Sequence, residues 1–74
     1  MRQQTKDSAL LKKISKRIKS LREEKGITQE EFYNDTNIHL GRIETARGNI
    51  TVSTLSVICK YFNISISEFF EGVD

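Results

Sequence analysis

Apolar residues at Leu10, Leu11, Ile14, Ile18 and Leu21 recur at three- and four-residue intervals, which places them on one stripe of a helix. Lys12, Lys13, Lys16, Arg17, Lys19 and Arg22 fall between them on the polar faces. The pattern predicts a first helix from about Ala9 to Lys25, with Ser8 as N-cap and Gly26 in the left-handed conformation that ends it. Residues 1–8 carry no apolar period and read as a flexible arm, basic at Arg2 and Lys6.

The next stretch, TQEEFYNDTNIHLGRIE from Thr28 to Glu44, holds two short helical patterns on either side of a polar break. Thr28 and Glu31 form a capping box, and Ile27 and Phe32 have the spacing of a hydrophobic staple, so a second helix starts at Thr28. Its end is open to two readings, because Asn34, Asp35, Thr36 and Asn37 all have short polar side chains that compete for helical hydrogen bonds. The preferred reading ends the helix early and lets Thr36 cap a third helix through Leu40 and Ile43. The alternative carries the second helix to Thr36 and starts the third near His39.

Gly48 and Asn49 mark a turn. From Thr51, a fourth helix presents Val52, Leu55, Val57, Ile58, Cys59 and Phe62 as a broad apolar face, with Tyr61 at its border and Asn63 as a left-handed stop. Ser65 and Glu68 make a second capping box, which opens a short last helix carrying Phe69 and Phe70. Isolated strand-like residues at Ile64 and Ile66 cannot make a sheet. The pattern predicts an all-α, compact five-helix domain over residues 9–71, followed by a tail at 72–74.

Seventy-four residues allow one domain with one core. No apolar run is long enough for a membrane span or a signal peptide, so a soluble, cytoplasmic protein is the expectation. Cys59 is the single cysteine, which excludes an intramolecular disulfide and a cysteine-rich zinc site and suits core packing. The formal charge of +2 hides an asymmetry: residues 1–25 carry nine Lys/Arg against three acids, a net of +6, and residues 26–74 carry three against seven, a net of −4. Such a basic end attracts phosphate in a salt-dependent way, although lysines also serve simply to solvate a helix face.

Candidate chemistry lies in the central pair of helices. Base edges are read by side chains that donate or accept hydrogen bonds, and Thr36, Asn37, His39 and Arg42 qualify. Phosphate contacts draw on Arg17, Thr28, Gln29, Arg47 and Asn49. His39, the only histidine, has no acidic or cysteine cluster at metal spacing and no convincing nucleophile beside it, so neither a metal site nor catalysis is expected. The adjacent pairs Glu23/Glu24 and Glu30/Glu31 point in different directions, which argues against a focused acid/base pair. No cofactor or small-molecule ligand is expected.

The segments ISKRIKSLREEKGITQEEF, GRIETARGNITVSTLSVICKYF and NISISEFF, in this order between Ile14 and Phe70, resemble the XRE family, the Cro and phage-repressor-type helix-turn-helix domain. The resemblance implies a lambda-repressor-like domain of five helices that binds operator DNA, regulates transcription and often works as a homodimer. It places Gln29 on a glutamine that opens helix 2 and touches the DNA backbone, and Arg22 and Glu44 on a pair that ties helix 1 to the end of the reading helix. Between Gln29 and Arg42 this chain is about three residues shorter than the family pattern, with Tyr33 where alanine is common and Asn37 where the turn usually has glycine. One helical turn is therefore absent from either the second helix or the reading helix. The runner-up function is a degenerate helix-turn-helix scaffold that acts as a protein-interaction or antitoxin-type module, with Ile38, Leu40, Phe69 and Phe70 as its exposed patch.

Overall fold

The structure is a computed structural model that describes residues 7–46 and 49–73. The basic arm at Arg2 and Lys6, together with Arg47 and Gly48, lies outside the described residues. Among the described residues five helices follow one another: α1 (Ser8–Glu24), α2 (Gln29–Thr36), α3 (Leu40–Glu44), α4 (Val52–Tyr61) and α5 (Ile66–Glu71).

Each helix start is set by a short polar side chain or a turn. The α1 N-cap is Asp7, whose carboxylate accepts from the Leu10 amide at 3.0 Å, and Ser8 is the first helical residue rather than the cap. A carboxylate is the stronger acceptor and also suits the positive end of the helix dipole. Thr28 and Ser65 form reciprocal capping boxes with Glu31 and Glu68. The Ser65 amide and hydroxyl hold the Glu68 carboxyl below its ordinary range. Gly26, Asn37 and Asn63 take positive φ, and each turns the chain out of a helix.

The helix 2 boundary follows the alternative reading. α2 runs through Thr36, Asn37 is its left-handed C-cap, and His39 precedes α3. Thr36 does not cap α3: its hydroxyl donates back to the Phe32 carbonyl at 2.8 Å and accepts from the Ile38 amide at 3.2 Å. Asp35 stays helical while its carboxylate accepts from the Tyr61 hydroxyl at 2.6 Å, a bond from α4 that stabilises the last turn of α2. α2 therefore has eight residues and α3 five, so the reading helix is the shorter of the pair.

Ile14, Ile18 and Leu21 from α1 meet Phe32, Leu40, Leu55, Ile58, Cys59, Phe62 and Phe69 in one core. Phe32 stands at its centre, fully buried, with Tyr61 edge-on at 4.5 Å and Phe62 stacked at 5.7 Å between ring centroids. Burial raises the Cys59 thiol above its ordinary pKa, consistent with a packing role. The apolar face of α4 is narrower than expected: Val52 is 75% exposed and Val57 43% exposed, while Leu55, Ile58, Cys59 and, just past the helix, Phe62 point inward with Tyr61 at the border.

Among the described residues, Ser15 is the buried polar one. Its hydroxyl lies within hydrogen-bond reach of the Leu11 carbonyl in its own helix and of the Ile43 carbonyl in α3. The second contact adds a side-chain donor to an acceptor in the last turn of α3 that the Ala46 amide also reaches, at 2.9 Å.

Candidate nucleic-acid interface

Three side chains from three helices fix the face made by α2 and α3. Arg22 of α1 makes a two-pronged contact with Glu44 at the end of α3, Nε to Oε2 at 2.8 Å and Nη2 to Oε1 at 3.1 Å. Its third prong donates to the Ile27 carbonyl at 3.0 Å, just before α2. Gln29, the first residue of α2, donates from Nε2 to the same Glu44 Oε1 at 2.9 Å. The Arg22 and Glu44 side chains are only 14% and 5% exposed, so the pair is shielded from water. Donation to the Glu44 carboxylate raises the Arg22 pKa above its ordinary value, against an opposing effect of burial.

This clamp brings Gln29 against Gly41, where a Cβ would stand 3.4 Å from Gln29 Oε1, so α2 and α3 approach closely at a residue without a side chain. Around the contact opens a cleft of about 440 Å³ whose lining includes Gln29, Tyr33, His39, Gly41, Arg42 and Thr45. His39 and Arg42 are exposed. The Thr45 hydroxyl is turned back to the Gly41 and Arg42 carbonyls.

Of the base-contact candidates, the fold therefore brings His39 and Arg42 together. Thr36 is half-buried and spends its hydroxyl on the local backbone, and Asn37 is exposed at the turn with φ 65°. The phosphate candidates divide. Gln29 lines the cleft, and Thr28, at the N-cap beside it, accepts from the Glu31 amide yet retains its own hydroxyl proton for an outside acceptor. Asn49 is exposed in the segment that leads into α4, and Arg47 falls outside the described residues.

Arg17 belongs to a different surface. Its Nε donates to the Phe69 carbonyl at 3.0 Å and Nη2 to the Glu68 carbonyl at 3.2 Å, with the guanidinium 5.8 Å from the Phe69 ring centroid. Together with Lys13, Lys16, Ser20 and Gly72 it lines a second cleft of about 400 Å³ that shares no residue with the first. The residue that sequence reasoning left out of the candidate set is Tyr33, 37% exposed, whose ring stacks on His39 at 4.3 Å with 27° between planes. Its replacement of a small residue was the available signal.

Two short helices joined at a left-handed residue, the second clamped to a preceding helix, define a helix-turn-helix domain. The chain matches the profile of the helix-turn-helix family over residues 18–69, more than half its length, and belongs to that family of Cro and phage-repressor-type DNA-binding transcription regulators. No curated protein and no solved structure matches it. Among the described residues, no helix is long and apolar enough to cross a membrane.

Proposed function

We propose that this protein binds double-stranded DNA sequence-specifically and acts in the cytoplasm as a transcriptional repressor or autoregulator, using the face built by residues 28–46. The observation that carries this reading is the Arg22–Glu44–Gln29 network, which holds the start of α2 and the whole of α3 in one fixed relation around an open cleft. A groove reader needs this rigidity, because side chains placed on a mobile helix lose discrimination between base pairs. His39 and Arg42 are the base-edge candidates best placed for the task, with Asn37 at the adjoining turn. Thr28 and Gln29, with Asn49 and Arg47, are the proposed phosphate contacts. A homodimer reading two half-sites is the proposed assembly, since two modules sum their contacts on a symmetric operator.

The second reading, a protein-binding scaffold, draws on the brevity of α3. Its expected patch is not assembled, however: Leu40 and Phe69 are buried in the core, Ile38 is half-buried, and of the four only Phe70 counts as exposed. DNA binding is therefore the better supported reading.

Selection of duplexes from a random library by the purified protein, followed by affinity measurements on the winner over a range of salt, tests the proposal. One enriched motif, bound more tightly than scrambled DNA and weakened by salt, is the expected result. Equal affinity for every duplex overturns it. Sedimentation with and without the selected duplex reports whether two copies pair.

A further inference from the structure

A helix that reads a major groove normally sends three or four side chains to base edges. In α3 that supply is short. Leu40 is buried, Gly41 has no side chain, Ile43 is half-buried in the core and Glu44 is held by Arg22, which leaves Arg42 alone to face outward from the helix. Thr45, just beyond, has its hydroxyl turned to backbone carbonyls.

The remaining wall of the cleft comes from α2 and the turn. Gln29 has its amide nitrogen on Glu44. Tyr33 and His39 lie face to face, and the Tyr33 hydroxyl has no hydrogen-bond partner among the described residues. A stacked aromatic pair is stiff: each ring fixes the other, and the phenol is presented at little further entropic cost. Glycine at position 41 keeps the neighbouring side of the cleft free of a side chain.

We infer that Tyr33 is a specificity-determining residue of this domain, a reader supplied by α2 beside the one outward side chain of the five-residue α3, with His39 as the stacking partner that positions it. Its phenol hydroxyl donates to a base-edge acceptor in the major groove, such as a purine N7, and its ring edge lies against the neighbouring base. The target is double-stranded DNA, so the inference rests on the function proposed above. Arg42 supplies the cationic contact beside it.

The test uses the whole chain and the duplex enriched by selection, together with its single-base-pair variants, in fluorescence anisotropy at fixed salt. Tyr33→Phe retains the ring and the stack and removes only the hydroxyl. It is expected to reduce the preference at one base-pair position by roughly fivefold, the value of one hydrogen bond, while affinity for scrambled DNA and the salt slope stay unchanged. Tyr33→Ala is expected to flatten the preference at that same position, and His39→Ala to flatten it there as well as at any position His39 itself contacts, with circular dichroism confirming the helical fold of each. If the wild type discriminates among duplexes and all three variants keep its full ranking, the assignment of Tyr33 is overturned and DNA reading survives. If the wild type shows no preference among duplexes, both fall together.

Discussion

Glu44 accepts from Arg22 through both carboxylate oxygens, at 2.8 and 3.1 Å, and shares one of them with Gln29 at 2.9 Å. With both charges largely out of water, each partner is the main compensation for desolvating the other. Arg22→Ala leaves the Glu44 carboxylate with only an amide donor and is expected to cost about 2–4 kcal/mol, below the largest values for fully enclosed pairs. Glu44→Gln retains an acceptor and is expected to cost less. Urea denaturation of the two variants checks the order, and a smaller loss for Arg22→Ala than for Glu44→Gln contradicts it.

Arg17 and Gly72 are coupled by close approach. A Cβ at position 72 would lie 2.5 Å from Arg17 Nε and Cζ, so Gly72→Ala must push the guanidinium off the Phe69 and Glu68 carbonyls. The side chain is flexible enough to move, and the expected loss is about 1–2 kcal/mol for the hydrogen bonds given up. Arg17→Ala removes the same bonds, so the two changes together are expected to cost much less than their sum. Full additivity in thermal unfolding would rule this coupling out.

Ala46 sits at φ 55°, a conformation that costs a residue with a Cβ about 1–2 kcal/mol. Glycine relieves this strain but raises the entropy of the unfolded chain, which takes back about 0.4–1 kcal/mol. Ala46→Gly is therefore expected to stabilise the domain by about 0.5–1 kcal/mol net of these two effects. Asn63→Gly, at a similar φ of 58°, should gain less because asparagine tolerates the region better. Calorimetry on both variants reads the difference.

The Tyr61 hydroxyl donates to Asp35 at 2.6 Å, and this bond, which only the protonated phenol can make, raises its pKa above the ordinary 10.0. A group whose folded pKa is raised adds stability that is fully present below its unfolded pKa and is lost as pH rises through the folded value. The wild type is thus expected to lose stability above pH 10, and Asp35→Asn is expected to lose less over that window. Ultraviolet titration in a Tyr33→Phe background isolates Tyr61, and a transition unmoved by Asp35→Asn would show that the bond does not set it.

Much of the helical framework was legible along the chain because caps act over three or four residues. Thr28 with Glu31, Ser65 with Glu68, and the left-handed stops at Gly26 and Asn63 are local arrangements, and local composition suffices to find them. Where α2 ends was not local. Asn34 to Asn37 look like a break, yet Asp35 is kept in the helix with the help of Tyr61, twenty-six residues away, and Thr36 bonds backwards to Phe32 rather than forwards into α3. The candidate site divided for the same reason. Arg17 shares the basic helix with Arg22, but one meets the end of α5 and the other the end of α3, and only the second supports the reading face.

The sequence by itself determined that the chain is helical, where most of its helices begin and which family it resembles, since those features follow from the period of apolar residues and from short-range capping. The tertiary structure decided that within TQEEFYNDTNIHLGRIE α2 runs through Thr36 and α3 has five residues. It also decided that Tyr33 and His39 stand stacked in the cleft beside Arg42. The first outcome depends on contacts between residues far apart along the chain, Tyr61 with Asp35 and Arg22 with Glu44, whereas the stack joins residues six apart across the turn that the end of α2 sets.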